Sequence, residues 1–375
     1  MKLSIKIARI FGIPIEINYS WIIIVVLVTW TLATGYYPVY TPAQTAVVYW
    51  SAAVISTLLL FGSLLLHELS HSFVAIRNNI PIKKISLFIF GGVAQMEKEP
   101  DTSIVELKIA IAGPLCSLFI ALICFAALIA LNGVNIHPIV PSMLAYIAIV
   151  NTSIVIFNSI PGFPLDGGRI FRAVIWRFND NLKKATRIAT YSGQLFSYTI
   201  ILASLYFLFW QHDFLSGIWL LVLGLFLHEA ADMSYQQLIL KKALVGVPVK
   251  DVMSKDVIAV SPDLPLDKLV NEYFFKHRYM GFPVVESGIL KGIVTLHNVK
   301  EIPNERWPST KTSEAMTQVR EDLMVCPEAD CLEALLQVTR SGLGRLLVVE
   351  KGSLQGIITQ RNLVKLFEIK THLCI

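Results

Sequence analysis

Residues 58–76 read LLLFGSLLLHELSHSFVAI, an apolar run interrupted by one polar cluster, His67-Glu68-Leu69-Ser70-His71. The run belongs to a longer apolar stretch, 47–76, and an α-helix needs only about 20 such residues to cross the hydrocarbon core of a bilayer. A carboxylate near the centre of a membrane helix costs about 2.5 kcal/mol or more. The sequence therefore predicts a membrane-spanning helix in which Glu68 either is paired or has a function.

Apolar runs of similar length flank this one, so that six membrane spans are predicted. They cover residues 17–36, 47–76, 103–131, 142–161, 190–210 and 214–231. Residues 1–240 hold 14 Lys/Arg and 11 Asp/Glu, which leaves 34 of the 59 charged residues for 241–375. The second part thus has about the 25% of charged residues that is usual in soluble domains. This division excludes a single soluble domain, a disulfide-built secreted scaffold and a disordered chain.

The basic residues of the membrane part indicate its orientation. Residues 1–18 alternate apolar with polar side chains and lack a small-x-small cleavage site, so we expect a strand-like segment that is retained. All 14 Lys/Arg lie in the N-terminal segment, around 77–108 or around 169–187. The positive-inside rule then predicts a multi-pass cell-membrane protein whose N-terminus and residues after 231 are cytoplasmic. The net charge of +5 is explained by topology, and no nucleic-acid partner is expected.

The polar cluster has the spacing of a metal-binding helix. His67 and His71 lie one turn apart and about 40° apart around the helix axis, so both imidazoles can reach one metal ion. Glu68 can then reach the open coordination position. A bound Zn²⁺ would lower the pKa of a water molecule, and the carboxylate would take the proton and deliver it to a leaving amine. The pattern predicts one catalytic zinc ion.

A catalytic zinc has three protein ligands, and the best candidate for the third is Asp166. This residue lies in the segment FNSIPGFPLDGGR, residues 157–169. Two prolines interrupt the helix there, and the glycines leave room for a close approach. The charge map assigns Asp166 and the two histidines to the same half of the bilayer, so the two segments can converge.

His67-Glu68-Leu69-Ser70-His71 and Leu165-Asp166-Gly167 together resemble the motif pair of the site-2 protease family of intramembrane zinc metalloproteases, peptidase family M50. The resemblance implies that His67, His71 and Asp166 ligate zinc and that Glu68 is the general base. It also implies that Asn158 helps to hold the substrate or the tetrahedral oxyanion. The implied substrate is a transmembrane segment of a membrane-tethered protein, cleaved near the cytoplasmic side.

The same resemblance assigns a role to the β-rich stretch 85–95. Its matching residues are Phe90, Gly91, Gly92 and Val93, followed by Ala94. Composition and resemblance together suggest an edge strand that pairs with an unwound substrate segment. The alternative is a hairpin that only lies at the membrane surface and contacts lipid.

The soluble part contains an internal repeat. Val252-Met253-Ser254 recurs as Ala315-Met316-Thr317, and GIVTLHNV at 292–299 recurs as GIITQRNL at 356–363. Two landmarks with nearly the same period indicate two copies of one α/β unit. The pair resembles a tandem of CBS domains, a Bateman module, with boundaries at 246–305 and 310–370.

Such pairs usually bind adenine nucleotides, and a purely structural pair that forms a homodimer is the alternative. In nucleotide-binding members a hydroxyl residue precedes an Asp by three positions. Here the corresponding residues are Thr295 with Asn298 and Thr359 with Asn362. Both acids are replaced by amides, so the phosphate-side hydroxyl remains while the contact to ribose is weakened.

The predicted fold is a multi-span α-helical membrane domain, with six transmembrane helices and a small membrane-associated β-sheet or hairpin, followed by the α/β CBS tandem. A rival function is a transporter or channel gated by the CBS pair. That function would need charged residues spread along several spans, whereas Glu68 and Asp166 are predicted to gather with two histidines at one depth. A catalytically inactive scaffold is a second rival, and the complete His-Glu-His-Asp set argues against it.

Overall fold

A computed structural model describes residues 4–89 and 91–373, and the chain divides into two compact units between Gln236 and Gln237. The first unit contains the predicted zinc motifs and the second contains the repeat. Phe90, one of the residues with an implied substrate contact, lies outside the described residues. Each unit is described by itself below.

Six helices of the described chain are long and apolar enough to cross a membrane, as predicted. They are α1 (Ser20–Tyr40, with a π-helical turn at Leu32–Tyr36), α2 (Ala46–Arg77), α3 (Ser103–Ala130), α4 (Ile139–Asn158), α6 (Leu182–Phe209) and α7 (Phe214–Leu244). A shorter amphipathic helix, α5 (Asp166–Asn179), separates α4 from α6. The last two spanning helices are longer than the apolar runs at 190–210 and 214–231, because helical hydrogen bonding continues through polar turns at their ends.

Four strands form one sheet in the first unit. They are β1 (Ser4–Ile10), β2 (Ile13–Asn18), β3 (Ile82–Phe88) and β4 (Gly91–Met96), and they lie in this order. β1 and β2 form an antiparallel hairpin, as do β3 and β4, whereas β2 and β3 pair in parallel. Within the predicted stretch 85–95, therefore, only β4 is an edge strand, and β3 is interior with Ile85 and Leu87 buried.

Helix α3 lies at the centre of the packing around the zinc motifs. It packs against α2, α4 and α5, and α5 also packs against α6. The loop between α4 and α5 is held to α6 by the Phe163 N–H, which donates to the Ala189 carbonyl oxygen at 3.2 Å. This arrangement brings Asp166, the first residue of α5, to the C-terminal half of α2.

The second unit contains two three-stranded sheets and short helices. One sheet has β5 (Gly281–Glu286), β6 (Ile289–Thr295) and β7 (Thr317–Gln318), and the other has β8 (Met324–Val325), β9 (Arg345–Glu350) and β10 (Ser353–Thr359). The helices are α8 (Leu266–Lys268), α9 (Phe275–His277), α10 (Leu296–Lys300), α11 (Thr312–Ala315), α12 (Cys331–Ser341) and α13 (Gln360–His372). A π-helical turn at Leu269–Phe274 joins α8 to α9, and 3₁₀ turns occupy Val249–Asp251, Asn304–Arg306 and Glu321–Leu323.

Each copy of the repeat contributes a residue that pairs with the sheet of the other copy. Thr317, from the landmark that begins the second copy, pairs with Ile293 in the sheet of the first copy. Ser254, at the equivalent place in the first copy, pairs with Ile357 in the sheet of the second. Each copy therefore completes the other's sheet, which a period in the sequence cannot reveal.

Candidate metal centre

Three predicted side chains meet at one point inside the first unit. The Nε2 atoms of His67 and His71 are 3.3 Å apart, and each lies 3.1 Å from Oδ2 of Asp166. The two histidines are 2% and 5% exposed. Within residues 4–89 and 91–373, these three side chains form the one group of three or more potential ligands that converge closely enough to hold a metal ion.

The hydrogen bonds on the far side of each imidazole indicate what the centre can hold. His71 Nδ1 is 2.6 Å from the carbonyl oxygen of Ile109, which can only accept, so Nδ1 carries a proton. A neutral His71 then has its lone pair on Nε2, which faces the carboxylate of Asp166 and Nε2 of His67. Three electron-rich atoms directed at one another repel unless a cation or proton lies between them. Two imidazoles and a carboxylate are a ligand set that zinc accepts, and an oriented Nδ1–H is the usual support of a ligating histidine.

Helix α3 fits closely over the two imidazoles because position 113 is glycine. A Cβ atom there would lie 2.2 Å from Nε2 of His71 and 2.5 Å from Nε2 of His67, distances that side chains do not tolerate. One turn later, Ser117 Oγ lies 2.9 Å from His67 Nδ1. In the sequence, Gly113 belongs to Ala112-Gly113-Pro114, which also matches the family resemblance, whereas neither Ser117 nor the Ile109 carbonyl stands out.

Glu68 lies beside the histidine pair and contacts the edge of the sheet. Its Oε2 accepts the backbone N–H of Ala94 at 3.2 Å, so that this N–H points away from β3. Its Oε1 makes no hydrogen bond to any residue in the described ranges. A Cβ at Gly92 would lie 2.6 Å from Cγ of Glu68, so β4 also approaches this side chain closely.

A cavity of about 620 Å³ joins these groups to other predicted residues. His67, Glu68, His71, Asn158, Asp166, Gly91, Gly92 and Val93 all line it. The remaining wall is largely apolar, with Phe157 and Phe226 among its side chains. The structure thus brings together every predicted residue of the membrane part except Phe90, which is outside the described ranges.

In each copy of the repeat, the threonine and the asparagine predicted to contact a nucleotide bond each other. Asn298 Oδ1 accepts the Thr295 N–H at 3.0 Å and the Thr295 hydroxyl at 2.6 Å, and this capping box begins α10. Thr359 and Asn362 form the same box at the start of α13. The two pairs differ in whether they line a cavity. Thr359 and Asn362 line a cavity of about 670 Å³, whereas Thr295 and Asn298 are not among its lining residues.

Comparison with known families agrees with both parts of the chain. The sequence model of peptidase family M50 matches residues 55–141 and 136–201, and that of the CBS domain matches residues 249–305 and 313–369. The six-helix membrane fold followed by a CBS tandem is thereby confirmed.

Relatives extend this similarity over nearly the whole chain. Zinc metalloprotease MJ0392 of Methanocaldococcus jannaschii is 30% identical over 370 residues, which cover 98% of this chain and 97% of the relative. Rip3 of Mycobacterium tuberculosis is 30% identical over 379 residues, which cover 98% and 94%. Among solved structures, the site-2 protease from Methanocaldococcus jannaschii is similar, with 30% identity, 62% of this chain and 95% of that chain covered, and a TM-score of 0.43. The chain therefore belongs to peptidase family M50, and it is a multi-pass membrane zinc metalloprotease with two CBS domains.

Proposed function

We propose that the protein is an intramembrane zinc endopeptidase that hydrolyses a peptide bond in or near a transmembrane segment of a membrane-tethered protein. The observation that carries this proposal is the convergence of His67, His71 and Asp166 at 3.1–3.3 Å inside an apolar bundle, with Glu68 beside them. Membership of a peptidase family argues against the rival transporter. Hydrolysis within a span would release a cytosolic fragment.

His67, His71 and Asp166 would hold the zinc ion. When bound there, zinc would polarise the scissile carbonyl and lower the pKa of a water molecule. Glu68 would accept the proton of the attacking water through Oε1 and deliver it to the leaving amine, while Ala94 N–H holds Oε2. Asn158, at the end of α4 on the same cavity, would donate from its amide to the substrate or to the developing oxyanion.

The free edge of β4 would bind the substrate. Backbone groups of a transmembrane helix are all bonded within the helix, so it must unwind before a protease can act on it. The Ala94 N–H points to Glu68 rather than to β3, so the unpaired edge of β4 lies on the side of the candidate metal centre. An unwound substrate segment paired with Gly91, Gly92 and Val93 would recover backbone hydrogen bonds there.

The candidate site lies near the basic end of α2. His67 and His71 precede Arg77 by ten and six residues, so at 1.5 Å per residue the site lies about 9 to 15 Å from this basic helix end. Water would enter from that side, which the charge distribution assigns to the cytoplasm.

The CBS pair would bind an adenine nucleotide in the cytoplasm and alter substrate access, or would hold two copies together as a homodimer.

Replacement of Glu68 by Gln tests the chemistry. The amide keeps the shape of the side chain but cannot take a proton, so we expect unchanged zinc content and cleavage lower by about 10² to 10⁴-fold. Metal analysis and cleavage of a single-span test substrate in detergent measure the two quantities. Equal cleavage by both proteins would falsify the mechanism, and wild type without cleavage of any single-span substrate would support the inactive scaffold.

A further inference from the structure

Two groups of α3 contact Nδ1 of the histidines, the ring nitrogen that does not face the predicted zinc. Ser117 of α3 bonds Nδ1 of His67, and the Ile109 carbonyl of α3 bonds Nδ1 of His71. The third predicted ligand, Asp166, belongs to α5, and it makes no contact of this kind with α3. A different pair of residues connects α3 to α5.

That pair is a buried ion pair, Glu106 of α3 and Arg172 of α5. Glu106 is fully buried and Arg172 is 8% exposed. Oε1 of Glu106 accepts Nε of Arg172 at 2.7 Å and also accepts Nη2 of the same guanidinium. Glu106 Oε2 has no partner among the described residues. The Arg172 guanidinium also lies over the Phe163 ring, 5.1 Å from its centroid, in the loop that leads to Asp166.

The position of the pair matches a role in orientation. Arg172 follows Asp166 by six residues on α5, which is about 9 Å along the axis. The ion pair and the Phe163 contact therefore hold α5 and the preceding loop on both sides of Asp166. A buried ion pair contributes little net stability compared with apolar side chains of similar size. Two charge-assisted hydrogen bonds from the Arg172 guanidinium to Oε1 of Glu106 supply a defined geometry between α3 and α5.

We propose that Glu106 and Arg172 are positioning residues for zinc binding, which hold Asp166 where it meets His67 and His71. This inference rests on the proposed assignment of those three residues as zinc ligands. One helix, α3, would then orient the whole ligand set: His67 through Ser117, His71 through the Ile109 carbonyl, and Asp166 through Glu106 and Arg172. The pair would influence zinc affinity through the position of Asp166.

The test measures zinc affinity of the full chain in detergent by competition with a chromogenic chelator. Glu106→Gln and Arg172→Met should each weaken zinc binding by about 10 to 100-fold, as loss of a residue that supports a metal ligand typically does. Because the two residues act as a unit, the double variant should bind zinc no more weakly than either single variant. The matched control is Glu16→Gln, which alters another ion pair of the same unit, Glu16 Oε2 to Lys84 Nζ at 2.7 Å, and should leave zinc affinity unchanged.

A second measurement separates orientation from stability. Cobalt substituted for zinc has a visible spectrum that depends on its ligands, and the spectrum of Glu106→Gln should move toward that of Asp166→Ala. The melting temperature of each metal-free variant is recorded alongside. Unchanged zinc affinity and an unchanged cobalt spectrum, with only a lower metal-free melting temperature, would show that the pair is merely structural and would overturn the proposal.

The remaining outcomes are also decisive. If a single variant fails to fold because one charge is left buried alone, the double variant, which removes both charges, carries the test. A double variant that binds zinc as tightly as wild type would overturn the inference even though His67→Ala abolishes binding. If His67→Ala binds zinc like wild type, the ligand assignment itself is wrong and this inference fails with it.

Discussion

At the scale of single residues, the candidate metal centre depends on glycine at position 113, which has no side chain. Gly113 lets α3 lie directly against both imidazoles, because any Cβ would come within 2.2 Å of His71 and 2.5 Å of His67. The chain therefore orients the histidines from the backbone of a neighbouring helix as well as from their own helix. A substitution of Gly113 therefore tests the packing of α3 while every proposed ligand stays in place.

Gly113→Ala should impair zinc binding. Overpacking of a filled interior costs about 1 to 3 kcal/mol, and here the displaced groups are the imidazoles. We expect zinc affinity to fall by the corresponding factor of about 5 to 150, measured by chelator competition. The matched control is Gly62→Ala on the histidine helix, where a Cβ meets nothing within 4 Å. Equal zinc affinity of wild type and Gly113→Ala would contradict the close packing of α3.

The spacing of His67, Glu68 and His71 is sufficient to predict a metal-binding helix, because helix geometry determines which side chains share a face. Asp166 follows from the need for a third ligand and from the charge map. Ser117 and the Ile109 carbonyl could not be found in this way. A serine and a backbone oxygen have no distinctive spacing, and their role arises only when α3 packs on α2.

At the scale of secondary-structure elements, the four-stranded sheet was partly predictable. The N-terminal strand-like segment and the stretch 85–95 both show strand patterns, and both form strands. The parallel pairing of Ile15 with Ile85 joins segments 70 residues apart, and nothing local in the sequence encodes it. That pairing makes β3 interior, so the substrate edge predicted for the whole stretch is restricted to β4.

Cross-linking can test the proposed substrate edge. Val93 on β4 is 48% exposed, and Ile5 on β1, at the opposite edge of the sheet, is 54% exposed. In a Glu68→Gln chain without native cysteines, Val93→Cys should form disulfides with single cysteines of a bound test substrate. Because strand side chains alternate, cross-linking should peak at every second substrate position.

The control for this experiment is Ile5→Cys in the same background, which should give little cross-linking at any position. Equal cross-linking from β1 and β4, or the absence of a two-residue period, would contradict strand pairing at β4. Zinc content should be the same in all of these variants, because neither side chain is a proposed ligand.

At the scale of the whole molecule, the change in charge near residue 240 corresponds to the change from the six spanning helices to the CBS tandem. The structural division lies between Gln236 and Gln237, close to the predicted end of the membrane part at 240. The repeat in the second unit was visible from its landmarks, but the exchange of β7 and Ser254 between copies was not. That exchange depends on strand pairing over long separations, as the parallel pair in the first unit does.

Orientation in the membrane is a separate prediction at this scale. Cys326 is exposed in the second unit, and Asn135 is exposed in the connection between α3 and α4. In intact cells an impermeant maleimide should label a cysteine introduced at 135 but not a chain whose one cysteine is Cys326. Permeabilisation should make Cys326 reactive. Labelling of Cys326 before permeabilisation would reverse the proposed topology.

Nucleotide binding to the second unit is the last prediction. The cavity of about 670 Å³ is lined by Arg278, Arg345 and Arg361 and by one acid, Asp256, with Tyr279 beside them. Within the described residues, the Arg345 guanidinium donates to the carbonyl oxygens of Leu343 and Gly281, and partial burial lowers its pKa. A partly buried cation with no carboxylate partner among the described residues favours an anionic ligand, and arginine suits phosphate in particular.

We therefore expect ATP, ADP or AMP to bind the full chain, as measured by calorimetry. Arg345→Met should weaken binding by about 1.5 to 3 kcal/mol, the usual contribution of a hydrogen bond to a charged group. The matched control is Arg320→Met, because Arg320 is exposed, pairs with Asp322 at 3.2 Å and does not line the cavity. Because the attraction is electrostatic, affinity should also fall as salt concentration rises. If none of the three nucleotides binds, the homodimer remains as the proposed role of the CBS pair, and the arginines must then serve another anion.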